Sequence, residues 1–171
     1  RHAEAAPAAL SGWLGHRAPF AFELSYAPGA GVDRFRVGTP PVLAMAALDA
    51  ALDVWEGVDL GDLRARSLAL ADRFVEGALA AVPGLALATP REAARRGSQV
   101  SFRHPEGYAA MQALIARGVV GDFRAPDIMR FGITPLYLGE AEIDRAVEVL
   151  AEVMGRRLWD DPAFRLRAAV T

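Results

Sequence analysis

The stretch Val119-Val-Gly-Asp-Phe-Arg-Ala-Pro-Asp-Ile-Met-Arg-Phe-Gly-Ile133 decides the fold. Ala125-Pro126-Asp127 is a turn signal between two short apolar runs, so residues 119–124 and 128–133 read as two strands. In the second run, alternation puts Met129, Phe131 and Ile133 on one face. Arg130 then points to the other face, beside Gly132, which has no side chain to fill the space. Upstream, Gln99–Arg103 alternates in the same way, with Val100 and Phe102 together, and residues 85–88 form a shorter strand candidate closed by Pro90. Residues 106–117 read as a helix with Tyr108, Met111 and Ile115 inward. Residues 140–158 read as another, with Ile143, Val147, Leu150 and Met154 inward, acids early and Arg156 and Arg157 late, as the helix dipole prefers. The chain after Trp159 reads as irregular. The result is a β-β-α-β-β-α unit, an α/β (α+β) small domain with helices on one side of a largely antiparallel sheet.

Two longer helices precede it. Residues 60–81 place Leu63, Leu70 and Phe74 on one face and pair Asp62 with Arg66 at i, i+4, and Pro83-Gly84 ends the helix. Residues 42–55 are apolar all round except for Asp49 and Asp53, which share one stripe with Glu56. A helix wetted on one stripe is expected to be mostly buried. Residues 1–38 carry glycines, prolines and the aromatics Trp13, Phe20, Phe22, Tyr26 and Phe35 without periodicity, the pattern of an extended stretch that packs on another body. We therefore expect 1–57 to be the end of a larger domain and 58–171 to be self-contained.

Composition narrows the function. With 171 residues, 53% of them hydrophobic, 23% charged and a net charge of −2, the chain is of the globular class. That balance argues against disorder and against a nucleic-acid binder, which would need a basic excess. Cys is absent, which excludes disulfides, thiolate metal sites and a cysteine nucleophile. All 19 basic residues are Arg, so chemistry that requires an ε-amino group cannot be done by these side chains. No apolar stretch approaches the ~20 residues of a membrane span. Without a signal-peptide pattern, a cytoplasmic location is expected. The chain opens at Arg1 with no initiator Met, and we expect a piece of something longer.

Four residues stand out as candidates. His2, His16 and His104 show no metal-ligand spacing, so no metal site is expected; His16 is the most interesting of them because of its glycine-rich, aromatic setting. Gly38-Thr39-Pro40-Pro41 puts a hydroxyl at a helix N-terminus, where it could cap the helix or help to hold an anion such as phosphate. Arg130 has the room for a bidentate grip on a carboxylate, or it pairs internally with Asp122 or Asp127. Trp13 is a core aromatic or a ligand-facing indole whose N–H needs a partner.

Together, Ser11-Gly-Trp-Leu-Gly-His16, Arg34-Phe-Arg-Val-Gly-Thr-Pro-Pro41, Asp122-Phe-Arg124 and Arg130-Phe-Gly-Ile-Thr-Pro-Leu-Tyr137 resemble the C-terminal half of kynureninase, in order and over essentially the whole chain. The resemblance implies the C-terminal part of an aspartate-aminotransferase-like fold, with a long interdomain helix and a small sheet. It implies a pyridoxal 5'-phosphate enzyme hydrolysing L-kynurenine or 3-hydroxykynurenine in tryptophan catabolism, and a homodimer with shared active sites. Trp13 and Thr39 would sit at the cofactor phosphate and Arg130 at the substrate α-carboxylate. The family's cofactor-binding Lys lies upstream of the matched region, so no catalytic residue is expected within 1–171 and this chain is expected to be inactive alone. Two other readings remain open: a related class V enzyme such as a cysteine desulfurase or aminotransferase, and a non-enzymatic carboxylate-binding module.

Overall fold

A computed structural model describes residues 2–3 and 5–166. The chain divides into two units, Arg1–Gly57 and Val58–Thr171.

In the second unit, helix α2 (Leu60–Ala81) starts where the Asp59 carboxylate accepts the Asp62 N–H at 2.9 Å, a side-chain N-cap. It stops before Gly84, whose φ of +86° suits glycine. Arg66 donates to the Leu138 carbonyl at 3.2 Å, in place of the expected pair with Asp62. Four strands follow: β1 (Ala86–Leu87), β2 (Gln99–Arg103), β3 (Asp122–Arg124) and β4 (Ile128–Gly132). They form one antiparallel sheet in the order β1-β2-β4-β3. The two other main helices are α3 (Gly107–Ile115) and α4 (Glu140–Gly155).

Strand alternation builds the core. Val100, Phe102, Met129 and Phe131 are buried on the face that meets the helices, where Phe74 of α2 packs edge-on against Phe131 and Phe102 with centroids at 5.1 and 5.9 Å. A Cβ on Gly77 would lie 2.9 Å from the Val147 side chain, so α2 and α4 approach closely there. Outside that contact, Arg73 donates two bonds to Asp144, at 2.6 and 2.7 Å, and lies 3.1 Å from Glu140.

The inward faces differ in detail from the expected ones. In α3, Met111 is fully buried together with Ala110, Ala113 and Leu114, Tyr108 is half-buried, and Ile115 is exposed. Alanines let the helix sit close to its neighbours, and the buried stripe follows them. In α4, Ile143 and Leu150 are buried as expected, but Val149 and Val153 complete the stripe while Val147 and Met154 lie at its margin. The segment after Trp159 holds a helical turn, α5 (Pro162–Arg165), because the Asp161 side chain caps it and Pro162 starts it. Residues 167–171 lie outside the described residues.

In the first unit, helix α1 (Val42–Leu52) runs into a 3-10 turn, Asp53–Trp55, and Gly57 interrupts it with φ +72°. No residue of α1 is buried, contrary to the expectation from its single polar stripe: Leu43 is 88% exposed and Leu48 53%. An apolar helix needs a body to pack on, and within their own unit these residues find none. The lead-in forms two 3-10 turns, Trp13–Gly15 and Gly31–Phe35, tied together by backbone bonds from Arg17 to Ala27 and from Gly29 to Gly15, both 2.8 Å.

Candidate functional site

Glycines shape the first unit. A Cβ on Gly12 would fall 1.7 Å from the Val37 carbonyl oxygen, and one on Gly15 would fall 2.7 Å from that of Arg34. The segment 34–37 therefore runs directly across 12–15, with no room for side chains between them. This crossing brings the neighbourhood of Trp13 to the segment that leads into Thr39. Tyr26 reinforces it by donating its hydroxyl to the Gly15 carbonyl at 3.0 Å.

Trp13 is 48% exposed and packs edge-on with Phe20 at 5.6 Å. It borders a cavity of about 500 Å3 that His16, Phe22 and Tyr26 also line. Thr39 is exposed and does not cap α1, whose N-cap is Pro41, without a side-chain hydrogen bond. The hydroxyl is thus left available at the start of a helix. His16 has a structural role: its Nδ1 accepts the Ala18 N–H at 2.9 Å and its Nε2 donates to the Ser25 carbonyl at 3.2 Å. Both ring nitrogens are occupied, which assigns the neutral tautomer with the proton on Nε2.

Arg130 belongs to the second unit and projects from β4 on the face away from the helices, as alternation predicts. It lies directly opposite Asp122 in the β3–β4 register, and its Nε and Nη2 donate to the two Asp122 oxygens. Arg103 takes the other candidate partner, Asp127, at 2.9 Å. The fork holds the Asp122 carboxyl below the usual carboxylate range and raises the pKa of the guanidinium. Arg124 adds a second cation, its Nη2 3.8 Å from Asp122. On the helical face a separate apolar cleft of about 400 Å3 lies between Phe74, Phe131, Ile133 and Ala146. Among the described residues, no three His, Asp or Glu gather as a metal site, and no helix is long and apolar enough to cross a membrane.

Sequence reasoning placed the strand face of Arg130 but left its partner open, and it missed the crossing at Gly12. Two glycines flanking Trp13 were the available signal.

The fold is shared with solved structures. A mutant of the protein C-DES with glycine covalently linked to its PLP cofactor superposes with a TM-score of 0.65 at 25% identity, over 85% of this chain and 38% of that one. The cysteine desulfurase CsdA of Escherichia coli superposes with a TM-score of 0.59 at 19% identity, over 89% and 38% respectively. These define the class: an α/β part of the aspartate-aminotransferase-like, class V fold. A family model, the kynureninase C-terminal domain, matches residues 63–150. Kynureninase of Pseudomonas fluorescens is 49% identical over 167 residues, 96% of this chain and 40% of the relative. That of Burkholderia mallei is 49% identical over 174 aligned positions, 100% of this chain and 42% of the relative. The chain belongs to the kynureninase family, and it spans about two fifths of the length of the curated relatives it matches.

Proposed function

We propose that this chain is the C-terminal portion of a pyridoxal-phosphate-dependent hydrolase that cleaves L-kynurenine to anthranilate and L-alanine. The observation that carries the reading is the 49% identity to a kynureninase across 96% of the chain. In this reading, residues 1–57 end the large cofactor domain and supply the interdomain helix, and residues 58–171 form the small domain. Two copies share active sites as a homodimer in the cytoplasm.

The residues present fit the phosphate end of the cofactor. The crossing at Gly12, which any Cβ would fill, carries an indole N–H and an uncommitted hydroxyl on adjoining segments. A helix N-terminus follows at once, where partial positive charge favours an anion. Trp13 and Thr39 would donate to the phosphate. When bound, the cofactor supplies an electron sink for negative charge that develops on the substrate. Arg130 binds the α-carboxylate and so fixes the orientation of the bonds at the α-carbon relative to the ring. The required amine has no source among these side chains, since the sequence contains no Lys.

Turnover tests the reading. Protein expressed from the whole reading frame and supplied with pyridoxal phosphate should release fluorescent anthranilate from L-kynurenine, or 3-hydroxyanthranilate from 3-hydroxykynurenine. The chain 1–171 by itself should release neither. Turnover of cysteine with no turnover of either kynurenine would overturn the proposal.

A further inference from the structure

We infer that Asp122 is a positioning residue for the Arg130 guanidinium, holding one edge of the fork so that the other edge is presented to a ligand carboxylate. The inference rests on the proposed reading of Arg130 as the carboxylate clamp. A guanidinium carries five N–H donors in one rigid plane. Asp122 takes the side edge, Nε and Nη2. The end edge, Nη1 with the second N–H of Nη2, keeps two parallel donors, the geometry a second carboxylate needs for a bidentate bond. Among the described residues nothing engages Nη1.

Asp122 is placed for this role by the backbone. It stands directly across from Arg130 on β3, and a Cβ on the preceding Gly121 would lie 2.6 Å from the Arg130 carbonyl oxygen. The edge strand thus docks against β4 at this point because position 121 carries no side chain. The cluster still attracts anions: two guanidinium groups, of Arg124 and Arg130, share one carboxylate, which leaves a net charge of +1. Without Asp122 the long Arg130 side chain would have to be ordered by the ligand itself, at a cost in rotamer entropy. A surface ion pair with no such role would contribute little in either direction.

The test is kinetic and spectroscopic, on protein expressed from the whole reading frame and loaded with cofactor. Asp122→Asn should raise KM for L-kynurenine about tenfold or more while kcat stays within about threefold, as expected when a charge-assisted bond acts on binding. Asp122→Glu, which restores the carboxylate, should recover most of the loss. In NMR spectra at neutral pH, the Arg130 Nε–H signal, identified by its absence in Arg130→Lys, should be protected from solvent exchange in the wild type and lose that protection in Asp122→Asn. An unchanged KM in Asp122→Asn overturns the inference, as does a fall in kcat comparable to the rise in KM together with a lowered Tm, the mark of a merely structural residue. Arg130→Lys separates this failure from that of the underlying reading: an unchanged KM there removes the carboxylate clamp itself. A raised KM in Arg130→Lys with none in Asp122→Asn removes only the positioning role.

Discussion

His104 illustrates how much one side chain can carry. Its Nδ1 accepts the Glu106 N–H at 3.1 Å at the start of α3, and its ring meets Trp159 edge-on at 6.0 Å. Burial pushes its pKa below the ordinary histidine value, with the Glu106 charge acting the other way. The unfolded chain therefore takes up the proton at a higher pH than the fold does, so stability falls as pH drops below about 6.5 toward the lowered folded value. Thermal unfolding should show Tm declining between about pH 7 and pH 5.5 in the wild type. His104→Asn, whose Oδ1 can accept the same N–H, should flatten that limb, and equal slopes in the two proteins would refute the assignment. Further into acid, the carboxylate Asp144 is held below its usual value by hydrogen bonds from Arg73. Its contribution is present above the ordinary carboxylate pKa and is lost as pH falls through the lowered folded one. Asp144→Asn should make Tm less sensitive to pH below about 4.

At the scale of elements, the aromatic trio of Phe74, Phe102 and Phe131 joins α2 to the sheet, and Phe74 is 1% exposed. Phe74→Ala should cost about 3–5 kcal/mol in chemical denaturation, since the surrounding side chains cannot close the cavity. Gly121→Ala should cost about 1–3 kcal/mol and loosen β3 specifically, because the added methyl meets a backbone oxygen that cannot move aside. Hydrogen exchange of the β3 amides that face β4 would report it. Much of this architecture was legible: Pro83-Gly84 announces the end of α2, and the turn at 125–127 places the hairpin. The inward faces of α3 and α4 were less legible, because periodicity read from large residues overlooks alanines that pack closely. The turn Pro162–Arg165 differs from the irregular segment expected there, although Asp161-Pro162 is a helix-start signal. In the candidate site, alternation showed which way Arg130 points, whereas its choice of Asp122 over Asp127 depends on strand register. The approach of Trp13 to the segment before Thr39 depends on a crossing between distant residues that no local pattern encodes.

For the whole molecule, α1 is the anomaly. Val42, Leu43, Met45, Leu48 and Leu52 are each more than half exposed, and exposed apolar side chains clustered on one helix invite association. The chain 1–171 expressed by itself should self-associate with rising concentration and bind an apolar dye. The double substitution Leu43→Glu and Leu48→Glu should suppress both, as read by light scattering and dye fluorescence, and unchanged scattering would locate the association elsewhere. The sheet shows the opposite strategy. Its edge strand β3 is three residues long, and two of them, Asp122 and Arg124, are charged. An open edge offers unpaired backbone groups to any passing strand, and short, charged edges discourage such recruitment. Asp122, which aims Arg130, thus also helps to guard the sheet against polymerisation. Solubility and ligand binding thus make demands on one side chain, so a substitution such as Asp122→Val would cost twice, once at the ligand and once towards neighbouring copies of the protein.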